Sequence, residues 1–193
     1  MALKTKVKVG NITNLSDARY CAGMGVDWLG FGAGTIDQKT YEDITGWVTG
    51  PSFIIEMNSD TPLAMVNQYA ADGLEIPFSR LSDLDQMHHA TIMVSLPMTD
   101  WIAQKNQLIQ RKAHVSVLIF TEGLNHAQTE DEVLAEASAH FEILIGFPFT
   151  LDRITDEMRH RVGFHLQGSN EVRPGLKDYQ SLAEVLEQLD VEG

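Results

Sequence analysis

The sequence predicts an α/β fold, one compact (β/α)8 TIM barrel occupying residues 1–193 as a single domain. Three observations carry this expectation. Short apolar, β-branched runs alternate with amphipathic stretches along the whole chain, the pattern of parallel strands joined by crossover helices. The alternation recurs eight times in 193 residues, about 24 residues per strand–helix pair, close to the shortest workable crossover. No linker, low-complexity segment or charge block divides the chain. A doubly wound open sheet is the competing arrangement.

The strands are expected, in order, at residues 6–12, 28–32, 52–57, 73–78, 91–96, 115–121, 141–147 and 163–167. Helices are expected between and after them at 15–24, 41–48, 62–71, 81–88, 100–112, 129–139, 151–160 and 179–189. The helix assignments rest on apolar spacings of three and four, as in Leu182, Val185, Leu186 and Leu189. Thr129 stands three residues before Glu132, the spacing of a capping box, and Thr61 precedes Pro62 at a first-turn position. The fourth unit is the weakest, because Pro77 ends its strand. The turn into the last strand near Val162 is also weak.

Composition is that of an ordinary globular chain, 44% apolar and 21% charged. With 14 Lys plus Arg against 27 Asp plus Glu, the formal charge is -13. That balance argues against nucleic acid or an anionic membrane as partner, since both need clustered cations. A small anion can still be held locally by helix N-termini and oriented amides. The single cysteine, Cys21, excludes an intrachain disulfide framework and cysteine-rich zinc sites. It reads as a packed small apolar residue. No cationic stretch followed by an apolar run opens the sequence, and no apolar run approaches the roughly 20 residues that span a bilayer. A cytoplasmic location is expected.

Barrel active sites lie at the C-terminal ends of the strands. In the first strand Lys8 and Gly10 share a face. If that face is the interior, Lys8 is a buried cation, Gly10 leaves a gap above it, and Glu56 or Glu75 supplies a partner. Gly146 and Gly168 fall just past the seventh and eighth strands, where backbone amides can approach a phosphate closely; Ser169 and Asn170 extend that segment. Plain turn glycines are the alternative reading. Glu122, just past the sixth strand, is the best-placed free carboxylate for acid–base work. His165 alternates with Gln167 on the last strand and reads as a satisfied core histidine. The seven histidines show no metal spacing, and consecutive His88 and His89 read as surface or helix-end residues. No metal and no cofactor are implied.

The run from Val7 to Ala18, Val-Lys-Val-Gly-Asn-Ile-Thr-Asn-Leu-Ser-Asp-Ala, resembles the opening of phosphoribosylanthranilate isomerases, which begin Lys-Ile-Cys-Gly-Ile-Thr before an Asp-Ala helix. Gly25-Val26-Asp27-Trp28-Leu29-Gly30-Phe31 is similar to that family's second strand, and Pro174-Gly175-Leu176-Lys177-Asp178 to its close. The resemblance implies a single cofactor-free (β/α)8 barrel of tryptophan biosynthesis. Its reaction would be an Amadori rearrangement of an aminoaldose phosphate to an aminoketose phosphate. It implies a general base ending strand one, a general acid ending strand six, and a substrate phosphate held after strands seven and eight. Carried onto this chain, the base position is Gly10 and the acid position Phe120, and neither can transfer a proton.

The family's Gly-rich segment after strand six and its arginine-bearing loop after strand two are not matched. Weak or absent isomerase activity is therefore expected unless Glu122 with Lys8, Glu75 or Glu56 rebuilds the pair; Asn11 is a further polar candidate. The alternative is a non-catalytic barrel that binds a phosphorylated metabolite or a protein partner. Phe147 and Phe149, exposed apolar residues in the loop after strand seven, would then suit a protein contact or simply cap the barrel.

Overall fold

In the computed structural model the described residues are 2–148, 154, 162–168, 171–173, 176–177 and 180–191. Eight strands form one closed parallel barrel in sequence order: β1 (Val7–Gly10), β2 (Trp28–Gly32), β3 (Ser52–Glu56), β4 (Gly73–Pro77), β5 (Thr91–Leu96), β6 (Val117–Phe120), β7 (Glu142–Ile145) and β8 (Gly163–Gln167). Every predicted strand is present, and closure excludes the doubly wound sheet. The seam is β1 against β8, with Val7, Lys8, Val9 and Gly10 in register with Phe164, His165, Leu166 and Gln167. Behind it the ends of the described chain meet: Lys4 N–H donates to the Leu189 carbonyl and Val191 N–H to that of Ala2.

Strand alternation sorts side chains into two cores. Ile54, Met93, Val117, Ile119 and Leu144, with Trp28 against them, fill the barrel interior. Val7, Val9, Leu29, Phe31, Ile55, Ile76, Val94, Leu118, Phe120, Ile145 and Phe164 face the helix layer. Parallel strands buried on both faces read as continuous apolar runs, which is why they were legible.

The outer layer comprises α1 (Leu15–Gly23), α2 (Gln38–Thr45), α3 (Leu63–Val66), α4 (Met98–Gln110), α5 (Ala127–Ser138) and α6 (Gln180–Leu189). Asn14 and Asp37 cap α1 and α2, accepting from Asp17 N–H and Thr40 N–H. Two helix expectations change. The segment expected at 62–71 is helical only over Leu63–Val66, with Pro62 at the cap position and no side-chain cap. Tyr69 then leaves the helix to donate its hydroxyl to the Ile36 carbonyl at 2.6 Å.

The segment expected at 81–88 is a 3-10 run, Phe78–Gln86. Its buried residues Leu81 and Leu84, and Met87 at its C-cap, recur every three positions, which suits a three-residue turn. The cap of α5 is His126 rather than Thr129. Instead Glu130 is buried and accepts from Leu124 N–H at 2.9 Å. The helix expected at 151–160 lies outside the described residues apart from Ile154. A hairpin not foreseen, β9 (Glu171–Arg173) with β10 (Leu176–Lys177), follows β8. Among the described residues no helix is long and apolar enough to cross a membrane.

Candidate functional site

Two neighbouring strand pairs bring four ionisable side chains into the barrel. On β1 and β8, Lys8 is in register with His165; on β3 and β4, Glu56 is in register with Glu75. Like charges side by side on one face repel, and Lys8 resolves this by reaching across β2. It passes in front of Gly30, where an added Cβ would lie 2.0 Å from Glu56 Oε1 and 2.7 Å from Lys8 Nζ. A side chain at position 30 would therefore displace the ion pair.

Lys8 is fully buried. Its ammonium donates to Glu56 Oε1 and stands 2.7 Å from Glu75 Oε2. The ammonium is thus held by two carboxylates at once, with Glu75 the stronger charge attraction. Burial by itself would lower the Lys8 pKa, but Glu75 and Glu56 outweigh it and hold the amine above its ordinary value, firmly cationic. Lys8 Nζ also lies 3.2 Å from His165 Nε2, and Gln167 Nε2 lies 3.3 Å from the same atom. Burial first, then the Lys8 charge, depress His165 to about 3. The imidazole is neutral at physiological pH.

Glu56 is the member that meets solvent, with its side chain 19% exposed at the C-terminal end of β3. Its second oxygen accepts from Asn11 N–H at 3.0 Å. Asn11 has φ 55°, the only positive value at a non-glycine among the described residues. Asparagine tolerates this left-handed conformation better than most residues. The turn points its amide inward at the carboxylate.

Glu56, Glu75 and His165 each offer a ligand atom within 4.8 Å of the others, a set with the make-up of a metal site. The Lys8 ammonium already stands among them. The three donors serve a tethered cation.

The expected interior pairing of Lys8 thus forms, and with both Glu56 and Glu75 rather than one of them. The gap expected above Gly10 does not exist: a Cβ there would lie 2.5 Å from Glu56 Oε1 and 2.7 Å from His165 Nε2. Glu122 is exposed at the end of β6 and stands apart from the cluster; its carbonyl accepts from Met98 N–H. Gly146 N–H donates to the Phe120 carbonyl and Gly168 N–H to the Gly10 carbonyl. Both amides are thus committed to the barrel ladder, and a Cβ at Gly168 would lie 3.0 Å from the Gly10 carbonyl oxygen. Ser169 and Asn170 lie outside the described residues.

Phe120 faces the helix layer, edge-on to Trp101 at 6.5 Å, so it neither fills nor lines the barrel mouth. Phe147 is buried at 7% exposure, against the expectation of an exposed contact, while Phe149 lies outside the described residues. Cys21 is buried in α1 as expected. His88 is exposed and His89 half-buried.

Sequence reading missed the Asn11 turn and the spatial need for Gly30. A signal existed for the second, since Gly30 shares the inward face of β2 with Trp28, the register partner of Lys8.

Acid lability follows from His165. The unfolded chain takes up a proton near the ordinary value of 6.5, and the folded chain refuses it down to about 3. Stability contributed by the neutral ring is complete above 6.5 and falls by about 1.4 kcal/mol per pH unit below it. Urea titrations from pH 7 to 4 should show this slope in the wild type and a shallower one in His165→Gln. Parallel slopes in the two proteins would refute it.

No family model matches the chain, and no curated protein matches it. Solved structures do resemble it. N-(5'-phosphoribosyl)anthranilate isomerase from Pyrococcus furiosus superimposes with a TM-score of 0.69 at 10% identity, covering 96% of this chain and 98% of that one. Phosphoribosyl anthranilate isomerase from Thermococcus kodakaraensis gives 0.67 at 13% identity, covering 97% and 99%. A truncated 3-deoxy-D-arabino-heptulosonate 7-phosphate synthase from Thermotoga maritima gives 0.65 at 12% identity, covering 95% and 84%. At these identities the likeness is one of fold.

Proposed function

We propose that this barrel binds a phosphorylated sugar at the C-terminal ends of its strands and moves a proton on it, an aldose–ketose isomerisation with Glu56 as the base. One observation carries the reading. The space a side chain at Gly10 would occupy, where the resembled isomerases keep their strand-one base, holds the Glu56 carboxylate. A base lost from β1 is thereby replaced from β3. Glu75 fixes Lys8, while Lys8 and the Asn11 amide fix Glu56. Glu56 takes the proton from the sugar carbon beside the nitrogen-bearing one. Glu122, at the end of β6, supplies the proton that opens the ring at its oxygen. The segments that follow β7 and β8, from Gly146 and from Gly168 through Ser169 and Asn170, are proposed to receive the phosphate by groups other than the Gly146 and Gly168 amides, which are already bonded within the barrel.

The test is turnover of phosphoribosylanthranilate by purified protein. Glu56→Gln should lower the rate by about 10²–10⁴, the usual share of one proton-transfer group. Glu122→Gln should lower it by a comparable factor. Wild-type turnover that survives Glu56→Gln would overturn the assignment. A second reading, a barrel that holds a phosphorylated metabolite or a protein partner without turning anything over, is favoured by the two hydrogen bonds already satisfying Glu56. Saturable binding of the same compound with no product would select it.

A further inference from the structure

We propose that His165 is a neutral hydrogen-bond donor, its Nδ1–H aimed into the cleft between β7 and β8 at a carbonyl oxygen of the bound sugar. This rests on the sugar-phosphate reading above and names the group that polarises the ligand.

The tautomer follows from its neighbours. An ammonium has protons to give and no lone pair to receive, so His165 Nε2, facing Lys8 Nζ at 3.2 Å, accepts. The Gln167 side-chain amide nitrogen faces the same atom at 3.3 Å and is also a donor. With Nε2 accepting, the ring proton of a neutral imidazole sits on Nδ1. Turning the ring over would set Cε1–H, which has no lone pair to give, against the ammonium and lose that contact.

The direction of Nδ1 follows from Gly146, since a Cβ at that position would lie 3.3 Å from it. Strand seven thus presents a bare backbone to the donor. Among the described residues Nδ1–H donates to nothing. His165 lines a cleft of about 310 Å³ together with Gly146, Phe147, Gln167, Leu182 and Val185. Apart from His165 and Gln167, this wall is backbone and hydrocarbon.

A neutral donor suits a neutral oxygen. The dianionic end of the ligand calls for cations, and Lys8, the one cation in the cluster, is consumed by its carboxylates. The oxygen beside His165 is therefore the one on the carbon that Glu56 deprotonates, a hydroxyl in the aminoaldose and the carbonyl of the aminoketose. Once Glu56 has taken the proton of that carbon, its electrons moving toward the nitrogen-bearing carbon, a neutral imidazole there stabilises the oxygen as it becomes the ketose carbonyl, and it needs no protonation to do so. His165 then acts as a catalytic residue in its own right, beyond packing the seam.

Two measurements on the full chain test this. Nitrogen-15 NMR of the imidazoles should show a protonated Nδ1 and a bare Nε2 on His165 at neutral pH. An Nε2–H ring would overturn the proposal. Infrared spectra of the protein with dihydroxyacetone phosphate, the smallest ketose phosphate, should show the bound carbonyl band moved to lower frequency. His165→Gln, whose amide oxygen can still accept from Lys8, should abolish the shift, while Glu56→Gln should keep it. A band unmoved on binding, or failure of the compound to bind, would overturn the donor role. A shifted band without turnover of phosphoribosylanthranilate would sink the base assigned to Glu56 and leave the donor standing.

Discussion

Lys8→Met should lose about 3–5 kcal/mol of folding stability at neutral pH, the loss typical when one partner is removed from a buried ionic group. Methionine nearly conserves the volume, so the loss is electrostatic. Glu56 and Glu75 would be left side by side in register with no cation between them. The deficit should shrink on acidification, for two reasons. The carboxylates become neutral, and His165, no longer depressed by the Lys8 charge, can take up a proton and stand in for the missing ammonium.

A triple variant, Lys8→Met with Glu56→Gln and Glu75→Gln, should regain most of the loss, since deleting a whole buried ionic set is often close to neutral. Chemical denaturation of the three proteins at neutral and acid pH checks this. A Lys8→Met protein within about 1 kcal/mol of wild type would mean that the amine is not the charge holding the cluster together.

Trp101→Ala should cost about 3–5 kcal/mol for a different reason, the emptying of a packed site. Trp101 is fully buried on α4 and sits edge-on to Phe120 at 6.5 Å and to Phe141 at 6.1 Å. Its indole N–H donates to Glu136 on α5 at 3.3 Å. One ring therefore joins α4, α5, β6 and the segment entering β7. For a chain of this size each kcal/mol lowers Tm by about 2–4 °C, so calorimetry should see a large shift. Trp101→Phe should recover much of it. Ligand binding at the barrel mouth should survive, because Trp101 lies in the outer layer and touches none of the polar cluster. A loss below about 1 kcal/mol would show that the helices collapse onto the vacated space.

The strands were legible because each is buried on both faces and its composition says so. The helices were less so. At 62–71 the apolar spacing was real, but Tyr69 is drawn off by a tertiary hydrogen bond to Ile36, which local pattern does not contain. At 78–86 the spacing was three throughout, and that distinction from an α-helix was present in Leu81, Leu84 and Met87.

In the site, the period of two put Lys8 and Gly10 on one face and named Glu56 or Glu75 as the partner if that face was the interior. It could not say that both would be used, because that depends on the β3–β4 register. Nor could it fill the space above Gly10, which takes side chains 46 and 155 residues further along. The contribution of His165 required closure, since only the seam sets it beside Lys8. Phe120, on which the resemblance sets the acid position, points into the helix layer, and strand alternation decides that.

The seam also decides what an unfinished chain looks like. Lys8 and His165 pair across 157 positions, so β1 waits with its outer backbone groups unpaired until nearly all the polypeptide is available. A chain ending before Gly163 would carry two bare edges, one on β1 and one on β7, each a template for a strand from another molecule. The complete barrel has no edge to offer. Truncation from the C-terminus should therefore yield strand-exchanged oligomers and aggregates, with β8 of one molecule completing the sheet of the next wherever a full-length chain is present to lend it.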